Sequence, residues 1–156
     1  MLRAAACGSF SLLFEGLGHA DAAKEAVELL DSVKKELREE GLDYCADIPH
    51  GINVETLLLL RELGACPGVD FLCLDFDRLL SSVLPTYASQ TPSQKLKEHF
   101  FALLREDLKQ ISAPICARTV HSPHMWKKAD AHACRMQAFF VPSEQISLWK
   151  EWNAEK

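Results

Sequence analysis

The chain has 156 residues, 48% hydrophobic and 25% charged, and its 22 acidic and 17 basic side chains leave a formal charge of −5. That composition gives one folded domain and excludes a disordered, collagen-like or disulfide-scaffold chain. No apolar run approaches the ~18 residues of a membrane span, and the absence of a basic cluster argues against nucleic acid as a partner.

The six cysteines, Cys7, Cys45, Cys66, Cys73, Cys116 and Cys134, include no C-x-x-C pair, and several stand in apolar runs. They read as small buried residues of a reducing compartment rather than a disulfide framework or a zinc site. This points to a cytoplasmic protein, with organellar import left open because the first residues carry Arg3 and no acid before Glu15.

Residues 1–9 read as a short lead and 10–156 as the domain. Phe10 to Phe14 is a first strand, followed by the loop Gly16-Leu17-Gly18-His19. Asp21 is placed to cap a helix in which Ala26, Val27, Leu30, Val33 and Leu37 recur at i, i+3 and i+4, and Gly41 ends it. Ile52 to Glu55 is a second strand, and Thr56 to Gly64 a leucine-rich helical turn or two. After the turn at Pro67-Gly68, Val69 to Leu74 is a nearly continuous apolar strand, the kind found in parallel sheets covered on both faces.

Thr91-Pro92-Ser93-Gln94 starts a helix with Thr91 as cap, and Leu96, Phe100, Leu103, Leu104 and Leu108 form its apolar face. Pro114 to Ala117 is a fourth strand. His121 to Ala133 is a polar loop with a short helix, and Ala138 to Val141 a fifth strand. Ser143 is placed to cap a terminal helix carrying Ile146, Trp149 and Trp152, whose indoles pack a core or an interface. Five strands, each followed by a helix, make an α/β domain with a parallel sheet and right-handed crossovers. It is either doubly wound or part of a (βα)8 barrel, and no Gly-x-Gly-x-x-Gly or Walker motif supports a nucleotide site.

In such folds the chemistry collects where strands end. The first strand ends at Glu15 and the second at Glu55. The third ends at Asp75 and Asp77, followed by Arg78, and the fourth at Cys116, followed by Arg118. Glu55 with Asp75 or Asp77 would suit one Mg²⁺ completed by waters and substrate oxygens, although acids at strand ends also cap helices. His19 lies at the same end, within reach of a phosphate, and His50 lies at the opposite one. His121, His124 and His132 read as a polar surface loop.

Several segments resemble the C-terminal catalytic barrel of phosphoenolpyruvate-utilising enzymes: enzyme I of the sugar phosphotransferase system, phosphoenolpyruvate synthase and pyruvate phosphate dikinase. Asp31 to Asp47 resembles the helix before that family's G-I-M-V-E strand, and Gly51-Ile52-Asn53-Val54-Glu55 resembles the strand itself. Val69 to Leu74 resembles the V-D-F-F-S-I that leads into G-T-N-D-L. Ala113 to Arg118 resembles the strand ending in C-G-E, and Ala138 to Ile146 the last strand, F-S-V-S-P-S-x-I. The resemblance implies Glu55 and Asp77 as Mg²⁺ ligands, Cys116 as proton donor and a pyruvate-like small molecule as ligand; Arg78 and Arg118, cations at the same strand ends, are candidate substrate-binding residues. Cys66 to Asp70 also resembles the P-G-V-D of hydroxy-acid aldolases and citrate-lyase-type enzymes of the same superfamily.

The chain departs from the family where the chemistry lies. Aligned without a gap, Arg78 falls on the second metal carboxylate, and a one-residue shift puts Asp77 there. Ala117-Arg118 replaces the Gly-Glu after the cysteine, and Thr56-Leu57 stands where a proline follows the metal-binding glutamate. Only the last five of eight βα units are matched, so the 156 residues fall roughly 94 short of a barrel of about 250. The expected function is therefore a degenerate, non-catalytic barrel-like domain serving binding or assembly, as a homo-oligomer or with a partner chain. The alternative is a Mg²⁺-dependent phosphotransferase or keto-acid lyase.

Overall fold

The apolar segments settle into five strands: β1 (Leu12–Phe14), β2 (His50–Val54), β3 (Phe71–Asp75), β4 (Ile115–Arg118) and β5 (Met136–Phe140). The computed structural model describes residues 1–63, 68–83, 93–120, 123 and 133–154. All neighbouring strands pair in parallel, in the order β1-β2-β3-β4-β5. A doubly wound sheet reverses its order at a switch point. Here every strand lies beside the one that precedes it in sequence, which is the progression of a barrel wall.

The helices are α1 (Leu2–Ala5), α2 (Ala20–Glu39), α3 (Leu57–Glu62), α4 (Phe76–Val83), α5 (Gln94–Leu108) and α6 (Ile146–Ala154), the last preceded by a 3-10 turn at Ser143–Gln145. Alternation along each strand sends successive side chains to opposite faces. Ile52, Val54, Leu72, Leu74, Ile115 and Ala117 point to one face and join side chains of α3, α4, α5 and α6 in a single core. Leu12 and Phe14, in register with that face, join Leu2 of α1, Leu30 of α2 and Ile48 in a second cluster.

The other face carries Gly51, Asn53, Phe71, Cys73, Asp75, Cys116 and Arg118, and no helix among the described residues packs its core side chains there. Among the described residues the sheet is thus covered by helices on one face, not on both as the apolar run at Val69 to Leu74 suggested. Within that run Cys73 points away from the helices while Leu72 and Leu74 point into them, and a thiol is apolar enough to hide the alternation.

The helix caps also differ from expectation. His19, not Asp21, caps α2: its backbone is extended and its Nδ1 accepts the Ala22 N–H at 3.2 Å. Asp21 already lies in the first turn, where it pairs with Lys24 at 3.3 Å. Ser93 caps α5, accepting the Leu96 N–H at 3.3 Å. The expected cap at Thr91, with Pro92, lies outside the described residues, as do His121, His124 and His132. Ser143 does not cap α6, because it sits inside the 3-10 turn with its hydroxyl toward Glu144. The lead contains the short helix α1, which buries Leu2 and Ala5.

Candidate functional site

The C-terminal end of the sheet is built from side chains that the helices begin beside. β3 runs into α4 with no loop between them, since Asp75 ends the strand and Phe76 starts the helix. Asp75 therefore acts as a cap, its Oδ1 accepting the Arg78 N–H at 3.0 Å. Asp77 lies in the first turn of α4 and faces the segment after β4. Its Oδ2 accepts the Val120 N–H at 2.8 Å, and its Oδ1 lies 3.5 Å from the Thr119 hydroxyl. The third strand thus ends at Asp75, one element earlier than the sequence reading of Asp77 as a strand-end acid.

Arg78 reaches back over the end of β2. Its guanidinium donates to Glu55 Oε2 at 2.9 Å and stands 4.0 Å from Asp75. The other Glu55 oxygen accepts the Asn53 amide at 3.0 Å. Arg118, the last residue of β4, pairs with Glu15, the residue that follows β1. Strands lie about 4.8 Å apart, so this pair spans three strand spacings. Both side chains must lean over the same face, above Asn53 and Cys73, to meet. Both are about half exposed, so the contact adds at most ~1 kcal/mol of stability and its main effect is to roof that face.

Beneath the roof, Cys73 pairs in register with Cys116 and with Asn53. Burial, then the neighbouring Cys116 thiol, pushes the Cys73 thiol up to about 12, against the opposing pull of Arg118. Burial pushes the Cys116 thiol up as well. Both remain protonated near neutral pH, so Cys116 can hold a proton to donate but is a poor nucleophile.

The structure brings Glu55, Asp77, Arg78 and Arg118 to one end of the sheet, with Cys116 one layer below on the same face as Glu55 and Arg118. Each of the four charged groups is already matched within the protein. A Mg²⁺ on Glu55 would have to displace Arg78, and one on Asp77 would compete with the Val120 N–H, so the donors as they stand do not fit a preformed cation site. Among the described residues, no group of three or more His, Cys, Asp and Glu side chains is placed to hold a metal.

His19 is engaged as a helix cap rather than open to a phosphate. At the opposite end of the sheet, His50 Nε2 lies 2.7 Å from the Gly68 carbonyl. Sequence reasoning assigned no role to Asn53 or Glu15. The signal for Asn53 was its alternation with Ile52 and Val54, which places an amide on the face opposite the core. No helix of the described residues is long and apolar enough to cross a membrane. Compared with models of known protein families and with curated proteins, the chain matches none.

Proposed function

We infer that the chain is a non-catalytic, barrel-derived domain whose work is assembly, completing its sheet with a second copy or a partner chain. The observation that carries this reading is that, among the described residues, helices cover one face of the sheet and strands β1 and β5 form its edges. An unpaired strand edge is a template for another strand. Each edge also borders an apolar groove. That beside β1, bordered by α1 and α2, about 490 Å³, is lined by residues including Leu2, Leu12, Phe14, Leu29, Leu30 and Leu37. That beside β5 and α6, about 420 Å³, is lined by residues including Phe139, Ile146, Trp149 and Trp152. These are the flanks where a preceding and a following βα unit would pack. Covering apolar surface is worth about 25 cal/mol per Å². Sedimentation at micromolar concentration is expected to give a species heavier than the 17.5 kDa chain. A monodisperse monomer with a cooperative melt would overturn the reading.

A second reading keeps the chemistry of the resemblance: a Mg²⁺-dependent phosphotransferase or keto-acid lyase acting on a pyruvate-like molecule. It is favoured by the convergence of Glu55, Asp77, Arg78 and Arg118 on one end, with the protonated Cys116 below. In it the arginines would bind the substrate carboxylate and Cys116 would protonate a substrate carbon, while a Mg²⁺ on Glu55 or Asp77 would first have to displace Arg78 or the Val120 N–H. Isothermal titration with millimolar Mg²⁺ and oxalate decides it. This reading requires binding that Glu55→Ala abolishes while the far-UV circular dichroism is unchanged. No heat in the wild type would leave the assembly reading alone.

A further inference from the structure

The two edges of the sheet differ, and each suits the other. Leu12 donates its N–H to the Pro49 carbonyl at 2.8 Å, so β1 turns the backbone groups of Leu12 toward β2. Alternation along the strand then turns those of Leu13 outward. At the opposite edge Phe140 accepts the Thr119 N–H at 3.2 Å, which turns the backbone groups of Phe139 outward. Both edges carry helices on the same face of the sheet. Leu12 and Phe14 pack with Leu2 of α1 and Leu30 of α2, and Phe139 packs on the core that holds Trp149 and Trp152 of α6. The connections match as well, since α2 begins after residues 15–19 and α6 after residues 141–145.

We propose, resting on the assembly reading above, that the β5 edge takes the β1 edge of a second copy of this chain, head to tail. A two-fold axis that paired β1 with β1, or β5 with β5, would either reverse the strand direction or send the two sets of helices to opposite faces. Only β5 against β1 continues both the parallel direction and the helix-covered face. That pairing also lays α2 of one copy beside α6 of the other, so the two apolar grooves close on one another.

Charge selects the same arrangement. Lys150 lines the β5 groove, one turn after Ile146 on α6. Glu25 stands on α2 one turn before Leu29, which lines the β1 groove. Both charged side chains are exposed. Lys150 is the fifth residue of α6 and Glu25 the sixth of α2, so helices that start level bring them to within about one residue rise, ~1.5 Å, of the same height. Pairing like edges would leave this cation and this acid on separate interfaces.

The test is sedimentation of the full chain at micromolar concentration with each edge blocked in turn. Leu29→Glu blocks the β1 edge and Ile146→Glu the β5 edge. The two side chains are 65% and 43% exposed, so circular dichroism should stay native. Each variant alone is expected to sediment as the 17.5 kDa monomer. An equimolar mixture should give a 1:1 pair of twice that mass, because each variant keeps the edge that the other has lost. Glu25→Lys and Lys150→Glu, both on exposed positions, should each weaken wild-type association by about three-fold, and the double variant should recover it. An assembled wild type that only one blocking variant dissociates, or a mixture that stays monomeric, would overturn head-to-tail pairing while the assembly reading stands. A monomeric wild type would overturn both.

Discussion

Arg78 sets the character of the rim. With Glu55 at 2.9 Å and Asp75 at 4.0 Å, it turns a group of carboxylates into an internally balanced network. Its own side chain is 67% exposed, so the network remains open to exchange with an incoming ligand or chain. Below it, Cys73 makes stability depend on pH. Its folded-state value is raised from 9.0 to about 12 by burial. Below pH 9 both the folded and unfolded thiols are protonated and this contribution is complete. Between 9 and about 12 the unfolded state loses its proton first, so stability falls as pH rises, by about 1.4 kcal/mol per unit for one proton. Cys73→Ala removes that dependence. Urea denaturation at pH 8 and pH 10 should show the gap between wild type and variant narrowing as pH rises, by about 1 kcal/mol; a constant gap would contradict the assignment.

At the scale of elements, β2 is held by a close approach that only glycine permits. A Cβ on Gly51 would meet the Phe71 carbonyl oxygen and ring at 2.5 Å. Because the obstacle includes backbone of the paired strand, it cannot simply rotate away. Gly51→Ala is expected to cost about 1–3 kcal/mol in equilibrium urea unfolding. Gly18→Ala, with nothing within 4 Å of the added carbon, should stay within about 0.5 kcal/mol. The five strands and the helices α2, α3, α5 and α6 were legible in the sequence because their signals are repeated, as in α2, whose stripe from Ala26 to Leu37 runs over about three turns; α1 and α4 were not read as helices. Caps depend on one residue each. His19 outcompeted Asp21 because the chain is still extended at position 19, and nothing in the local composition records where that extension stops.

At the scale of the whole molecule, strand count and direction could be read from the alternation of strand and helix, whereas the choice between double and single winding could not. That choice rests on which side each crossover takes, and the pattern that reports it is divided between the two faces of each strand. In β2 the alternation Gly-Ile-Asn-Val separates the faces, but in β3 Leu-Cys-Leu masks them. The ion pair between Arg118 and Glu15 was equally hidden, since each was visible as a strand-end charge but their meeting depends on which strands lie between them. Assembly belongs to this scale too. Leu29 is 65% exposed in the groove beside β1, and Leu103 is 41% exposed on α5. If the edge is the interface, Leu29→Glu should shift the sedimenting species toward monomer and Leu103→Glu should not. Equal effects from the two would remove the edge from consideration.

The sequential strand order also dictates how the molecule is made. In a chain emerging from its N-terminus, each new strand meets its neighbour already formed, so every ladder closes over a short stretch and at a modest entropic cost. The growing edge is always the newest strand. The bond from Arg118 to Glu15 joins positions 103 residues apart and passes over β2 and β3. It cannot form until the fourth strand has docked. Glu15, the first of these charges to be synthesised, therefore waits longest for its partner, and its pairing marks the moment at which separate βα additions become one sheet tied from the first strand to the fourth.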